Sequence, residues 1–204
     1  MGVLRGMEKL TLNDHPILEP LRQRWSPLAF DPKPIPTEAL LSLFEAARWS
    51  SSCFGEQPWR FIVGVKATDP ATCEKLASTL VGGNSWAHKA PVLILGVAKK
   101  TFDHNGSENR FAPYDVGQAV GQLTVQAASL DLYLHQMGGF DAAKAQEIFA
   151  IPDGFAPQAM IALGYLGEAE LLDDAQQQAR HNSPVRARKP LSELVFTEWE
   201  KAAF

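Results

Sequence analysis

Ser51-Ser52-Cys53-Phe54-Gly55-Glu56-Gln57-Pro58-Trp59, running on into Arg60-Phe61-Ile62-Val63, is the stretch that decides the fold. It reads as a small polar loop that enters a strand over residues 59–65, with the entry set by a proline that fixes φ and withholds a donor. Upstream lies Arg24-Trp25-Ser26-Pro27, and far downstream Arg186-Ala187-Arg188 answers it. Arginine and serine at one end, a polar loop in the middle and two arginines at the other end suggest one anionic ligand gripped by distant parts of the chain. Guanidinium forks suit phosphate because each can give two parallel hydrogen bonds. A solvated basic tail is the plain alternative for Arg186 and Arg188, and the neighbouring Arg180 and Lys189 weaken any single choice.

The composition narrows the partners. The chain has 204 residues, 46% of them hydrophobic, enough for one sizeable core. A single domain over residues 1–204 is expected, with 167–204 as an extended C-terminal arm. The formal charge is −4 and no basic stripe runs through the sequence, which argues against nucleic acid. No apolar run approaches the roughly 18–20 residues of a membrane span. The start, Met1-Gly2-Val3-Leu4-Arg5, lacks the pattern of a signal peptide. Cys53 and Cys73 are the two cysteines, and a pair of free thiols in an acidic chain points to the cytoplasm. The five histidines are scattered without ligand spacing, so no metal is expected.

Residues 1–14 read as a lead-in helix or strap. Pro32, Pro34 and Pro36 make an extended linker, and Thr37 is a candidate N-cap for a helix carrying Leu40, Leu41, Phe44 and Ala47. Asp69-Pro70 predicts a capped helix over about 71–80, broken by Gly82-Gly83-Asn84. Residues 91–98 form an apolar run of the kind buried on both faces. The longest predicted helix runs over 114–134, thinned by Gly117, Ala119, Gly121, Ala127 and Ala128, so that another helix can approach closely. Asp141 should cap a helix ending before Pro152, and 158–163 should be a strand. The polar stretch 167–190 makes better sense as an arm along a partner subunit than as a loop of a compact monomer. Strands separated by helices predict an α+β sandwich, helices around a mostly antiparallel sheet.

These blocks resemble the FMN-dependent nitroreductase family. There a basic-Ser segment leads, after a helix, into a Ser-rich loop ending in Gln-Pro-Trp and a strand. Here it reads Arg24-Trp25-Ser26 through Phe30, then Ala46-Ala47-Arg48-Trp49, Ser51-Ser52 and Gln57-Pro58-Trp59. Met137-Gly138-Gly139-Phe140-Asp141 and Ile161-Ala162-Leu163-Gly164-Tyr165 follow in the family's order, so the resemblance spans about residues 15–195. It implies a nitroreductase-like α/β sandwich in an intertwined homodimer, with FMN as cofactor and NAD(P)H as electron donor. The small-molecule electron acceptor would be a nitroaromatic, quinone or activated alkene, served by a ping-pong mechanism.

The resemblance also assigns roles. Arg24, Trp25, Ser26 and Leu28 would form the cofactor segment, with Arg24 and Ser26 joining Arg186 and Arg188 at the phosphate and ribityl end. Ser51, Ser52, Gly55 and Gln57 would reach into the site from the other subunit. Asn84 would offer its amide to the pyrimidine edge, and the backbone of Gln136, Met137, Gly138 and Gly139 would pass the ring. No catalytic side chain is implied, since flavin N5 carries the chemistry. Plainer readings stand beside these: Asn84 as a helix C-cap, Gly138-Gly139 as a turn, Trp59 as core and Cys53 as a packing residue. Two positions depart from the family. Leu28 stands where a basic residue commonly faces the flavin, and Gly55 where asparagine is frequent. Losing that cation would disfavour the reduced, anionic flavin, with His88, Lys89 or Arg110 as replacements. It also supports the rival reading, a flavin-binding carrier or sensor without turnover. A dimerisation module without ligand would make the arginines and glycines coincidental.

Overall fold

The computed structural model describes Lys9, Thr11, residues 13–184 and residues 186–204. The strap expected over 1–14 therefore lies mostly outside the described residues. In chain order the elements are α1 (Glu19–Gln23), β1 (Phe30–Asp31), α2 (Thr37–Arg48), β2 (Trp59–Val65), α3 (Pro70–Ala77), β3 (Val92–Lys99), α4 (Ala112–Ser129) and β4 (Leu132–Met137). Then come α5 (Ala142–Ile148), β5 (Phe155–Leu166), α6 (Ala175–Asn182), β6 (Phe196–Glu198) and β7 (Lys201–Ala202). Short 3₁₀ turns sit at Cys53–Gly55, Gly82–Lys89, Ala169–Leu171 and Leu191–Glu193.

One five-stranded antiparallel sheet organises the molecule, in the order β1-β5-β3-β2 with β4 also on β5. Tyr165 of β5 is the register partner of both Asp31 in β1 and Leu132 in β4, so those two strands flank it on opposite edges. β3 lies between β2 and β5 and is buried along nearly its whole length, as its unbroken apolar run requires. Side chains alternate between two core layers. Val92, Ile94, Ile161 and Leu163 face one way with Leu43 of α2 and Leu123 of α4. Leu93, Leu95, Met160 and Ala162 face the other with Leu76, Trp86 and Ala145. The α+β sandwich predicted from the element order is the one observed.

Local chemistry explains the element ends. Asp69 accepts from the Thr72 N–H at 3.1 Å and Asp141 from the Lys144 N–H at 2.9 Å, capping α3 and α5. Thr37 is the first residue of α2 rather than its cap; Pro36 holds that place with φ −58°. The long helix ends sooner than its apolar spacing predicts. α4 stops at Ser129, Asp131 turns the chain at φ 54°, and Leu132–Met137 is a strand. Leu132 and Leu134 fall on one sheet face, a period of two that the helical reading missed. His135 lies on β4.

The stretch expected as an arm is attached to its own chain in its first part. Ala169, Leu172 and His181 are buried, and α6 packs against the 3₁₀ turn at Ala169–Leu171. Beyond it the chain turns outward: Trp199 is 87% and Phe204 92% exposed. Among the described residues no helix is long and apolar enough to cross a membrane, and no group of three or more His, Cys, Asp or Glu side chains is placed to hold a metal ion.

Candidate functional site

The segment between α1 and β1 meets the end of α6 at a cavity of about 300 Å³. Arg24, Trp25, Ser26 and Leu28 line it from one side and Arg180, His181, Ser183, Arg186 and Arg188 from the other, with Lys9 closing it. Five cations converge there, and among the described residues no carboxylate lines the cavity. Burial, and behind it the neighbouring positive charges, lower the pKa of three of them. Burial, then Arg186 and Arg180, pull Lys9 below its usual value. Burial and Arg188 lower Arg24, and burial with Arg24 and Arg188 lowers Arg186. A bound anion would relieve this crowding.

The two arginines near the C-terminus differ in their attachments. Arg186 donates from NH1 to the Lys9 carbonyl at 2.9 Å, Thr11 Oγ1 at 3.0 Å and the Arg22 carbonyl at 3.2 Å, and from NH2 to the Arg24 carbonyl at 2.5 Å. It ties the N-terminal segment to the Arg24 segment. Arg188 donates only to its neighbour's carbonyl, from Ala187, and is exposed.

Two histidines fix the backbone beneath the cavity. The N–H groups of Leu28 and Ala29 donate to His181 Nδ1 at 3.3 and 3.1 Å. His135 Nδ1 lies 2.7 Å from the Pro27 carbonyl, and its ring packs 4.7 Å from that of Trp86. Burial lowers the pKa of both histidines. Trp25 is buried against Tyr133 and His181, with Lys9 Nζ 3.7 Å over its ring. Leu28 is 3% exposed and belongs to the Trp86 core layer, so its side chain is packed as well as cavity-lining.

Of the residues singled out in the sequence, Arg24, Trp25, Ser26, Leu28, Arg186 and Arg188 come together here. A second group meets elsewhere. Asn84 Nδ2 donates to the Gly139 carbonyl at 3.1 Å. A Cβ on Gly139 would stand 2.4 Å from that nitrogen, so only glycine allows the approach. Gln136 and Met137 end β4 just before it.

The Ser51–Gln57 loop stands apart from the cavity lining, held to α4. Ser51 Oγ donates to Gln118 at 3.1 Å, the Cys53 N–H to the buried Asp115 carboxylate at 3.0 Å, and the Gln57 N–H to Ser52 Oγ at 2.9 Å. Phe54 and Gln57 adopt φ 55° and 50°, a left-handed backbone uncommon outside glycine and asparagine. Such strain persists where surrounding contacts over-determine it, as they do at this loop. Trp59 is buried in the α2–α4 core layer, so its packing role holds.

The proposed substitutes for the missing cation at Leu28 are engaged elsewhere. Lys89 pairs with Asp173 at 2.8 Å, His88 Nδ1 lies 2.6 Å from the Ser85 carbonyl, and Arg110 sits over Phe111. The cations that do line the cavity beside Leu28 include Arg180, which the sequence offered only as a competitor of Arg186 and Arg188, and Lys9, which it did not single out. Arg180 follows the Gln176-Gln177-Gln178 run and is one of the last-turn residues of a helix whose formation the polar composition hid.

The chain belongs to the nitroreductase family, whose model matches residues 21–165. A Mycolicibacterium smegmatis protein of 15.4 kDa, without an assigned role, is 39% identical over 68% of this chain and 95% of its own length. A Stenotrophomonas maltophilia protein provisionally named NADH dehydrogenase/NAD(P)H nitroreductase is 29% identical over 68% of this chain and 79% of its own. Among solved structures, an oxidoreductase containing FMN superposes with TM-score 0.85 at 31% identity, covering 95% of this chain and 97% of that one. A Desulfovibrio desulfuricans protein solved in complex with FMN gives 0.67 at 27% identity, over 91% and 98% of the two chains.

Proposed function

We propose that this chain is an FMN-dependent oxidoreductase that passes electrons from NAD(P)H to an electron-poor small molecule such as a nitroaromatic, quinone or activated alkene. The observation that carries the reading is the cavity lined by Lys9, Arg24, Arg180, Arg186 and Arg188, with no carboxylate among the described residues that line it. Such a cluster fits a phosphate dianion, and two structural relatives hold FMN. Its volume is at the small end of ligand pockets, which suits the phosphate end of a flavin better than the whole molecule. When bound, FMN would supply the redox chemistry between NAD(P)H and the acceptor.

The chain's own residues bind and orient. Arg24 and Arg188 hold the phosphate, Ser26 donates beside it, and Arg186 keeps the carbonyls of Lys9, Arg22 and Arg24 in place. Asn84 is held by Gly139 next to the β4 terminus, positioned for the pyrimidine edge. The site is completed in a homodimer by the Ser51, Ser52, Gly55 and Gln57 loop of a second copy. Support for the dimer comes from the exposed C-terminal aromatics and from the separation of that loop from its own chain's cavity. The compartment that fits two free thiols is the cytoplasm.

A second reading, a flavin carrier or sensor without turnover, is favoured by Leu28, a packed leucine where a cation would stabilise reduced flavin. Anaerobic NAD(P)H added to the purified protein separates the two. Bleaching of bound flavin followed by recovery on adding a quinone supports the enzyme, bound flavin that stays oxidised supports the carrier, and a colourless protein overturns both.

A further inference from the structure

A second cavity, of about 310 Å³, opens at the N-terminus of α4, outside the elements that line the cation cavity. Its walls are apolar: Ala98 at the end of β3, Ala112 and Pro113 in the first turn of α4, and Ala156 on β5. Its polar lining is Asn109, Lys100, Arg110, Glu108 and Gln158. Asn109 is 3% exposed, and its Nδ2 is buried with no hydrogen-bond partner. The rest of Asn109 is committed. Its N–H donates to the Lys100 carbonyl at 2.7 Å, its carbonyl accepts from the Ala112 N–H at 3.1 Å, and Oδ1 accepts from the Phe111 N–H at 3.1 Å. A buried amide donor left unmade is destabilising and calls for an acceptor. Gln158 Nε2 is turned to its own strand, donating to the Ala156 carbonyl at 2.9 Å.

The electrostatics favour an anion. The N-terminus of an 18-residue helix carries partial positive charge. Lys100 and Arg110 add two cations against the single carboxylate of Glu108. We infer that this cavity binds a small organic carboxylate with an apolar body, its head group meeting Asn109, Lys100 and Arg110 and its body lying on the alanines and Pro113. The inference does not depend on the flavin reading, because none of its residues lines the first cavity.

Benzoate, acetate and inorganic phosphate titrated into the ¹⁵N-labelled full-length protein test it by NMR at the Asn109 side-chain amide and the Ala112 backbone amide. Benzoate should shift both saturably and bind at least about tenfold more tightly than acetate, reflecting the apolar contact. Phosphate should bind more weakly than benzoate. The double variant Lys100→Gln, Arg110→Gln should weaken benzoate about tenfold, equivalent to about 1.4 kcal/mol, and Glu108→Gln should strengthen it. Both sets of changes are at exposed positions and leave the Asn109 contacts in place. Non-saturating shifts at Asn109, or a benzoate affinity unaltered in the double variant, would overturn the site. Acetate or phosphate binding as tightly as benzoate would overturn the apolar ligand class.

Discussion

His181, near the end of α6, accepts through Nδ1 the backbone N–H groups of both Leu28 and Ala29, more than 150 residues away in sequence. The cation cavity is therefore assembled on a neutral imidazole. Burial, then Lys9, lowers the His181 pKa, and burial lowers that of His135. Below about pH 6.5, the ordinary histidine value, the unfolded chain binds more protons than the folded one, so stability falls as pH falls. The loss starts near that value and continues down to the lowered folded-state values. Melting temperatures measured between pH 8 and 5 should be flat at the upper end and decline below about 6.5. His181→Gln keeps an acceptor without a titrating group and should flatten part of the decline. His181→Phe should cost about 2–4 kcal/mol above about pH 7 by stranding two buried donors, and less at lower pH, where the unmodified protein loses stability through His181 itself.

Arg186 and Arg188 should part company on substitution. Arg186→Gln removes donors to three carbonyls and Thr11, so it should lower stability by about 2–4 kcal/mol as well as weaken cofactor binding. Arg188→Gln should leave the melting temperature nearly unchanged and weaken FMN about tenfold. Chemical denaturation and flavin titration on the same two variants separate these effects.

Gly138 and Gly139 make a similar contrast. A Cβ at 139 would collide with Asn84 Nδ2, whereas one at 138 meets nothing within 4 Å. Gly139→Ala should cost about 1–3 kcal/mol through the displaced Asn84 and perturb the flavin absorbance spectrum. Gly138→Ala should leave both within error.

Much of this was legible in the sequence where a local rule had a single strong cue. Pro58 set the β2 entry, Asp69 and Asp141 capped their helices, and the unbroken apolar run of β3 marked a central strand. The α4 end failed because leucines at 130, 132, 134 and the small residues before them satisfy helical and strand spacing together. Only Asp131 in a left-handed conformation resolves it. The arginines at 24, 186 and 188 were legible as a cluster of one type, but the cavity also takes Lys9 and Arg180, brought in by tertiary packing of segments with no motif of their own. Arg186 reads as a ligand in sequence, and only its carbonyl partners reveal it as a tie between strands of chain.

The proposed dimer makes a further prediction. Gly117 and Gly121 of α4 present faces on which an added Cβ meets nothing within 4 Å, beside exposed Tyr114. In a two-fold pair this thin face is where a second copy approaches. The double variant Gly117→Leu, Gly121→Leu should therefore shift the protein from dimer to monomer in sedimentation while its circular dichroism stays helical. An unchanged sedimentation coefficient would move the interface elsewhere.

The central claim is that the all-cation cavity grips the phosphate of FMN. The direct measurement is the affinity of flavin-free protein for FMN and for riboflavin, which shares the ring and ribityl chain but lacks the phosphate. FMN should bind at least about a hundredfold more tightly, the sum of two charge-assisted hydrogen bonds of about 1.5 kcal/mol each. The advantage should shrink in Arg24→Gln and shrink further, to the part that Lys9, Arg180 and Arg186 supply, in Arg24→Gln combined with Arg188→Gln. Equal affinities for FMN and riboflavin in the unmodified protein would contradict the account.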